Sequence, residues 1–223
     1  MSFDLPLRCR CGHVRGVARE VSPATGFSFV CYCKDCQAFA RFLAHVPEKW
    51  TPVFRQGHAP LKPPDVLDAA GGTDIFQMPP GRVTLGAGTG ALRCLCFSGK
   101  VLRWYADCCR TPIANTATTP RFPVVALIHA FMNHAFTSDL AGGRSRDEAL
   151  GPPVCRIFER SAIGRLPPNA PPPPSLSMFA RRGSKLLGWW ARGLGRPNPF
   201  FDESTGAPIS TPRVITPDER AAL

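Results

Sequence analysis

Three cysteines fall within six residues, Cys31-Tyr32-Cys33-Lys34-Asp35-Cys36. Side chains this close in sequence share one ion only if the backbone turns around it, and packed thiols alone are a poor explanation for the spacing. The chain is therefore constrained to fold tightly at this point. Zinc prefers four tetrahedral N or S ligands, with Zn–S of about 2.3 Å. One ion can take all three thiolates and keep its fourth position open, the mark of a catalytic rather than a structural site. A redox dithiol at Cys33 and Cys36 is the competing reading, but it expects a βαβ context that the sequence does not offer.

The other cysteines come in pairs: Cys9-Arg10-Cys11-Gly12, Cys94-Leu95-Cys96 and Asp107-Cys108-Cys109-Arg110. Cys9 and Cys11 supply two ligands, and Gly12 relieves the backbone of the turn. Cys108 and Cys109 can close a structural site of four thiolates with them. Adjacent cysteines rarely both reach one ion, so Cys94 and Cys96 compete for that place. These two sit two apart on an expected strand and share a face; they are equally readable as small buried hydrophobes. Cys155 stands alone and reads as packed.

Three motifs together resemble the glutathione-dependent formaldehyde-activating (GFA) enzyme family, which includes centromere protein V. Cys9-Arg10-Cys11-Gly12-His13-Val14 is similar to that family's C-x-C-G-x-V element. Cys31-Tyr32-Cys33-Lys34-Asp35-Cys36 follows after 19 residues and is similar to its C-H-C-x-x-C element, with Tyr32 in place of His. Cys108-Cys109-Arg110-Thr111-Pro112 resembles its C-x-x-C-G-T-P turn, with Arg110 in place of Gly. The likeness runs from about Leu7 to Ile113. It implies a mainly β, tent-like zinc domain with short helices and two zinc ions. Cys9, Cys11, Cys108 and Cys109 would hold the structural ion, and Cys31, Cys33 and Cys36 the ion of the active centre. The implied activity is that of a carbon–sulfur lyase on a glutathione-type thiol adduct of a small aldehyde such as formaldehyde. The alternative is a non-catalytic, zinc-stabilised binding module.

The ligand type points the same way on its own. A zinc held by three thiolates carries a net charge of about −1 and is a weak Lewis acid, suited to keeping a bound thiol as a nucleophile. Arg8, Arg10, Arg15, Arg41 and Arg110 are candidates to pair with carboxylates of an anionic thiol. Tyr32 and Asp35 sit inside the cysteine cluster and could touch a ligand; Asp35 could equally cap the following helix. His13 and His45 are candidate proton shuttles.

Composition supports this class. Among 223 residues there are 25 prolines and 20 glycines, which disfavours a helical bundle and favours short strands and turns. Expected strands run over 13–21, 27–33, 91–97, 101–105 and 124–129, with a turn at Ser98-Gly99-Lys100 and a short helix over 34–43. The longest apolar run, 122–136, is interrupted by polar residues and is too short to span a bilayer. No secretory leader is visible, so a cytoplasmic location is expected. The net charge of +11 suggests an anionic partner. Three regions are expected: a zinc domain over 1–160, a proline-rich linker over 161–175, and a basic amphipathic segment with an extended arm over 176–223. Arg181, Arg182, Lys185 and Arg192 could engage an anionic membrane surface or nucleic acid, Trp189 and Trp190 could pack back on the domain, and the arm could support a homodimer.

Overall fold

The computed structural model describes residues 2–45, 62–97, 99–137 and 142–223. Among them the protein is mainly β, with two sheets. The smaller is antiparallel in the order β1-β2-β5, from Phe3–Arg8, Arg15–Val21 and Val83–Ala87. The larger has eight strands in the order β10-β3-β4-β9-β8-β7-β6-β11. These are β3 Phe27–Cys31, β4 Thr73–Met78, β6 Leu92–Cys96, β7 Val101–Ala106, β8 Pro112–Ala117, β9 Val125–Ile128, β10 Arg156–Ile157 and β11 Arg213–Val214. The two short outer strands run parallel to their neighbours, and the six between them are antiparallel.

The expected elements are found. The expected hairpin forms with Leu95 opposite Arg103, and Gly99 takes the left-handed conformation of its turn (φ 71°); Ser98 lies outside the described residues. The expected short helix is α1, Lys34–Ala44. Among the described residues, four further helices are α2 His129–Thr137, α3 Arg146–Leu150, α4 Leu176–Ala191 and α5 Pro217–Ala221.

Strand alternation divides β7 between two cores. Leu102 and Trp104 join Leu5, Leu7, Phe76, Phe131 and Phe200 in the larger cluster. Tyr105 faces the other way and packs with Phe39 and Phe42 of α1, together with Leu95 and Ile128. Trp104 keeps its indole N–H satisfied by donating to Thr116 Oγ1 at 2.9 Å.

The C-terminal residues pack on this frame. Phe200 and Phe201 lie 5.1 and 6.4 Å from the Trp104 ring. The proline-rich stretch carries the Pro172 carbonyl that accepts from Arg156 N at 2.9 Å, and Ile163 N donates to Ala70 O at 2.8 Å. Trp189 is buried and Trp190 exposed. Among the described residues, no helix is long and apolar enough to cross a membrane.

Candidate metal centre

Local chemistry explains both cysteine turns. After β1 the chain reverses at Cys9-Arg10-Cys11-Gly12, where Gly12 N donates to Cys9 O at 2.9 Å and Gly12 sits at φ 75°. After β7 it reverses at Asp107-Cys108-Cys109-Arg110, where Arg110 N donates to Ala106 O at 2.7 Å. Arg110 has φ 61°, a conformation that glycine adopts freely and arginine does not. Its side chain is held down: the guanidinium donates to Phe42 O at 2.7 Å and stacks on Phe42 and Tyr105 at 4.5 and 5.1 Å.

These turns bring the sulfurs of Cys9, Cys11, Cys108 and Cys109 within 4.8 Å of one another. Cys9–Cys11 is 3.5 Å, Cys11–Cys108 3.3 Å, Cys9–Cys108 3.9 Å and Cys108–Cys109 3.9 Å. A disulfide would be near 2.05 Å, whereas tetrahedral zinc with about 2.3 Å bonds sets its sulfurs about 3.8 Å apart. The cluster therefore fits an ion, with both adjacent cysteines inside it. Hydrogen bonds from Cys108 and then Cys9 hold the Cys109 thiol far below its ordinary value, while the same sharing pushes Cys108 up.

The second cluster is Cys31, Cys33 and Cys36, also within 4.8 Å. Cys31 ends β3, and Cys33 is the N-cap of α1: its sulfur accepts from Cys36 N at 3.3 Å. A helix N-terminus favours negative charge, so the fold itself supports a thiolate here. Hydrogen bonds from Cys31 and Cys36 lower the Cys33 thiol strongly, and the Arg103 charge adds to them. Cys31 is pushed up by the same pairing and by burial. Among the described residues no fourth His, Cys, Asp or Glu atom joins this group.

Arg103 completes the surroundings, and sequence reasoning missed it. Its side chain is 5 % exposed. Nη1 lies 3.4 Å from Cys36 Sγ and 3.4 Å from Asn115 Oδ1, and Nη2 lies 3.9 Å from Cys33 Sγ and 3.8 Å from Asp35. Burial works against its charge, but the Cys36 and Cys33 sulfurs outweigh that and raise its pKa. The available signal was a lone arginine in the apolar run Val101-Leu102-Arg103-Trp104-Tyr105, sharing by alternation the Tyr105 face. Asp35 is shared between Arg103 and Arg220 of α5, the latter at 2.6 Å. Beyond Arg220 opens a cavity of about 760 Å³ that also meets Lys34, Gln37, Arg41 and Phe97.

Other expected residues lie elsewhere. Tyr32 is fully buried and donates to Asp68 at 2.8 Å, which corrects the reading that it touches a ligand; its neighbours fill the space around the ring. Gln37 fixes that stretch by donating to Tyr32 O at 2.9 Å and Ser161 O at 2.7 Å. Cys94 and Cys96 join neither cluster: Cys94 lies 3.3 Å from Ser210 O, and Cys96 accepts from Gly99 N at 3.1 Å. Cys155 is buried with Phe27, Phe29 and Met178. His13 is exposed, His45 lines a separate cavity with Tyr105 and Arg110, and neither joins a cysteine cluster. Arg10 pairs with Asp65 at 4.0 Å, and Arg15 donates to Gly12 O at 2.6 Å. In α4, Arg182 donates to Gln77 at 2.9 Å and Lys185 to Gly26 O at 2.5 Å, while Arg181 and Arg192 are exposed.

A family model described as a family of unknown function, DUF6151, matches residues 57–211, which include Arg103, Cys108, Cys109 and the whole of α4. No curated protein matches the chain.

Proposed function

The chain belongs to the DUF6151 family, and we propose that this member is a two-zinc protein whose three-cysteine centre makes or breaks a carbon–sulfur bond between a thiol and a small aldehyde. One observation carries the reading: three thiols share a site with a buried guanidinium and no fourth ligand among the described residues, while four thiols elsewhere make a closed set. Closed sets are structural and incomplete ones reactive. The resemblance to GFA enzymes supports the same division of labour, with glutathione and formaldehyde as the first substrates to try.

When bound, zinc would supply soft Lewis acidity that favours the thiolate form of an incoming sulfur. The chain's own groups do the rest. Cys33 is held as an anion at the start of α1. Arg103 offsets the negative charge gathered by three thiolates. Asp35 keeps Arg103 oriented and is itself held by Arg220. In the forward direction the substrate sulfur attacks the carbonyl carbon, a C–S bond forms, the carbonyl π pair moves to oxygen, and the proton given up by the thiol ends there. The product is a hemithioacetal, and the reverse step is the lyase reaction.

The test is metal content on protein purified without added zinc, followed by adduct formation from glutathione and formaldehyde. Two zinc equivalents and faster adduct formation with protein than without are expected. A metal-free protein with many freely reactive thiols would put the redox dithiol reading first. Two zincs without acceleration would leave the zinc-stabilised binding module.

A further inference from the structure

Helix α4 is mounted with Arg182 and Lys185 inward and an apolar stripe outward, while Arg181 and Arg192 at its flank and end stay exposed. Arg182 and Lys185 hydrogen-bond to Gln77, Gly26 O and Pro23 O beneath the helix, and Met178 and Trp189 are buried on the same side. Leu176, Phe179, Leu187 and Trp190 face solvent at 88, 55, 68 and 71 % exposure. At 3.6 residues per turn these four and Gly183 lie within an arc of roughly 80°. Phe158 extends the patch, being 63 % exposed and lining one cleft with Phe179. Its backbone is strained at φ 58°, a conformation that a bulky residue rarely adopts.

The stripe is a palindrome. Its spacings, from Leu176 through Phe179, Gly183 and Leu187 to Trp190, run three, four, four and three residues. In two antiparallel helices related by a two-fold axis at Gly183, Phe179 meets Leu187 of the other copy and Leu176 meets Trp190. That reciprocity is what a two-fold interface demands. No close packing within the described residues calls for glycine at 183: a Cβ there would meet nothing within 4 Å. Glycine inside a helix costs stability relative to alanine, and close approach of a second backbone gives it a purpose. The stripe carries no charge, so no like charges meet across the axis. The four side chains expose on the order of 600 Å² per copy, and two copies together reach the lower bound of about 1,200 Å² for specific interfaces.

We infer that α4 is a homodimer interface, with two copies crossing antiparallel at Gly183. The inference does not rest on the metal chemistry. An anionic bilayer is the less favoured occupant, because Arg182 and Lys185 are committed to contacts beneath the helix.

Sedimentation equilibrium on the full chain tests it. Wild type is expected at twice the mass of one chain, and Gly183→Leu should raise the dissociation constant at least tenfold while leaving the fold intact. Phe179→Lys and Leu187→Glu should each be monomeric, and an equimolar mixture should recover a heterodimer, because position 179 of one copy faces 187 of the other. A monomeric wild type overturns the inference, and its co-sedimentation with phosphatidylserine vesicles would reassign the stripe to a membrane. A dimer unmoved by these substitutions, or a mixture that stays monomeric, would overturn the interface or its register.

Discussion

Arg110 donates to the Phe42 carbonyl oxygen at 2.7 Å, which ties the turn carrying Cys108 and Cys109 to the end of α1, while the first turn of that helix carries Cys36. The four-thiol cluster thus sets the position of the helix that presents the three-thiol cluster. The burial of the guanidinium is compensated by carbonyls at a helix C-terminus, where positive charge is favoured, and by two aromatic faces. Arg110→Met removes the clamp and leaves every thiol in place. It should cost about 1–3 kcal/mol in urea unfolding without loss of bound metal. An unchanged midpoint would show that the clamp does nothing.

Cys33→Ser should lower the zinc content by about one equivalent per chain, and Cys109→Ser should remove the other. The second loss is expected to destabilise more, because a metal that closes a four-thiolate site contributes its binding energy to folding. Metal analysis beside thermal unfolding of both variants reads this directly. Unchanged zinc in Cys33→Ser would remove the three-cysteine site from consideration.

Arg103 is the buried charge that three thiolates require. Arg103→Met strips Cys33 and Cys36 of their cation, leaves Asp35 with Arg220 alone, and should cost about 3–5 kcal/mol, the range for breaking a buried pair. Arg103→Lys keeps the charge but loses the planar fork that reaches several partners at once. It should recover part of that stability and only part of any adduct-forming activity. Full recovery in both would reduce Arg103 to a point charge.

His129 begins α2 in a half-buried position, and desolvation there lowers its pKa against the opposing pull of Asp74. A base lowered in the folded state is protonated first in the unfolded chain. Its contribution to stability is thus present above its unfolded pKa of about 6.5 and lost as pH falls towards the folded value. Wild type should therefore lose stability between about pH 7 and pH 5 faster than His129→Gln. Parallel pH profiles would contradict the assignment.

Phe200 packs fully buried on Trp104, so the C-terminal residues share the main core. Phe200→Ala should cost about 3–5 kcal/mol in a single unfolding transition. A separate low-stability transition for residues 176–223 would instead show that they fold apart from the sheets.

The spacing of cysteines and glycines determined much of this protein by itself. Ligands two or three residues apart can meet only through local turns, so Cys9 with Cys11, and Cys31 with Cys33 and Cys36, were legible as groups. The β-rich class and the hairpin at Gly99 were legible too, because alternation and turn residues are local properties. Tertiary structure decided which distant groups meet. Sequence left open whether Cys94, Cys96 or both of Cys108 and Cys109 would join Cys9 and Cys11, and the strand order alone placed the adjacent pair there. It left Arg103 unremarked, because a charge in an apolar strand acquires meaning only when the facing helix brings thiols to it. It also could not orient α4: periodicity shows that a helix has two faces, but the sheet beneath decides which one is left to solvent.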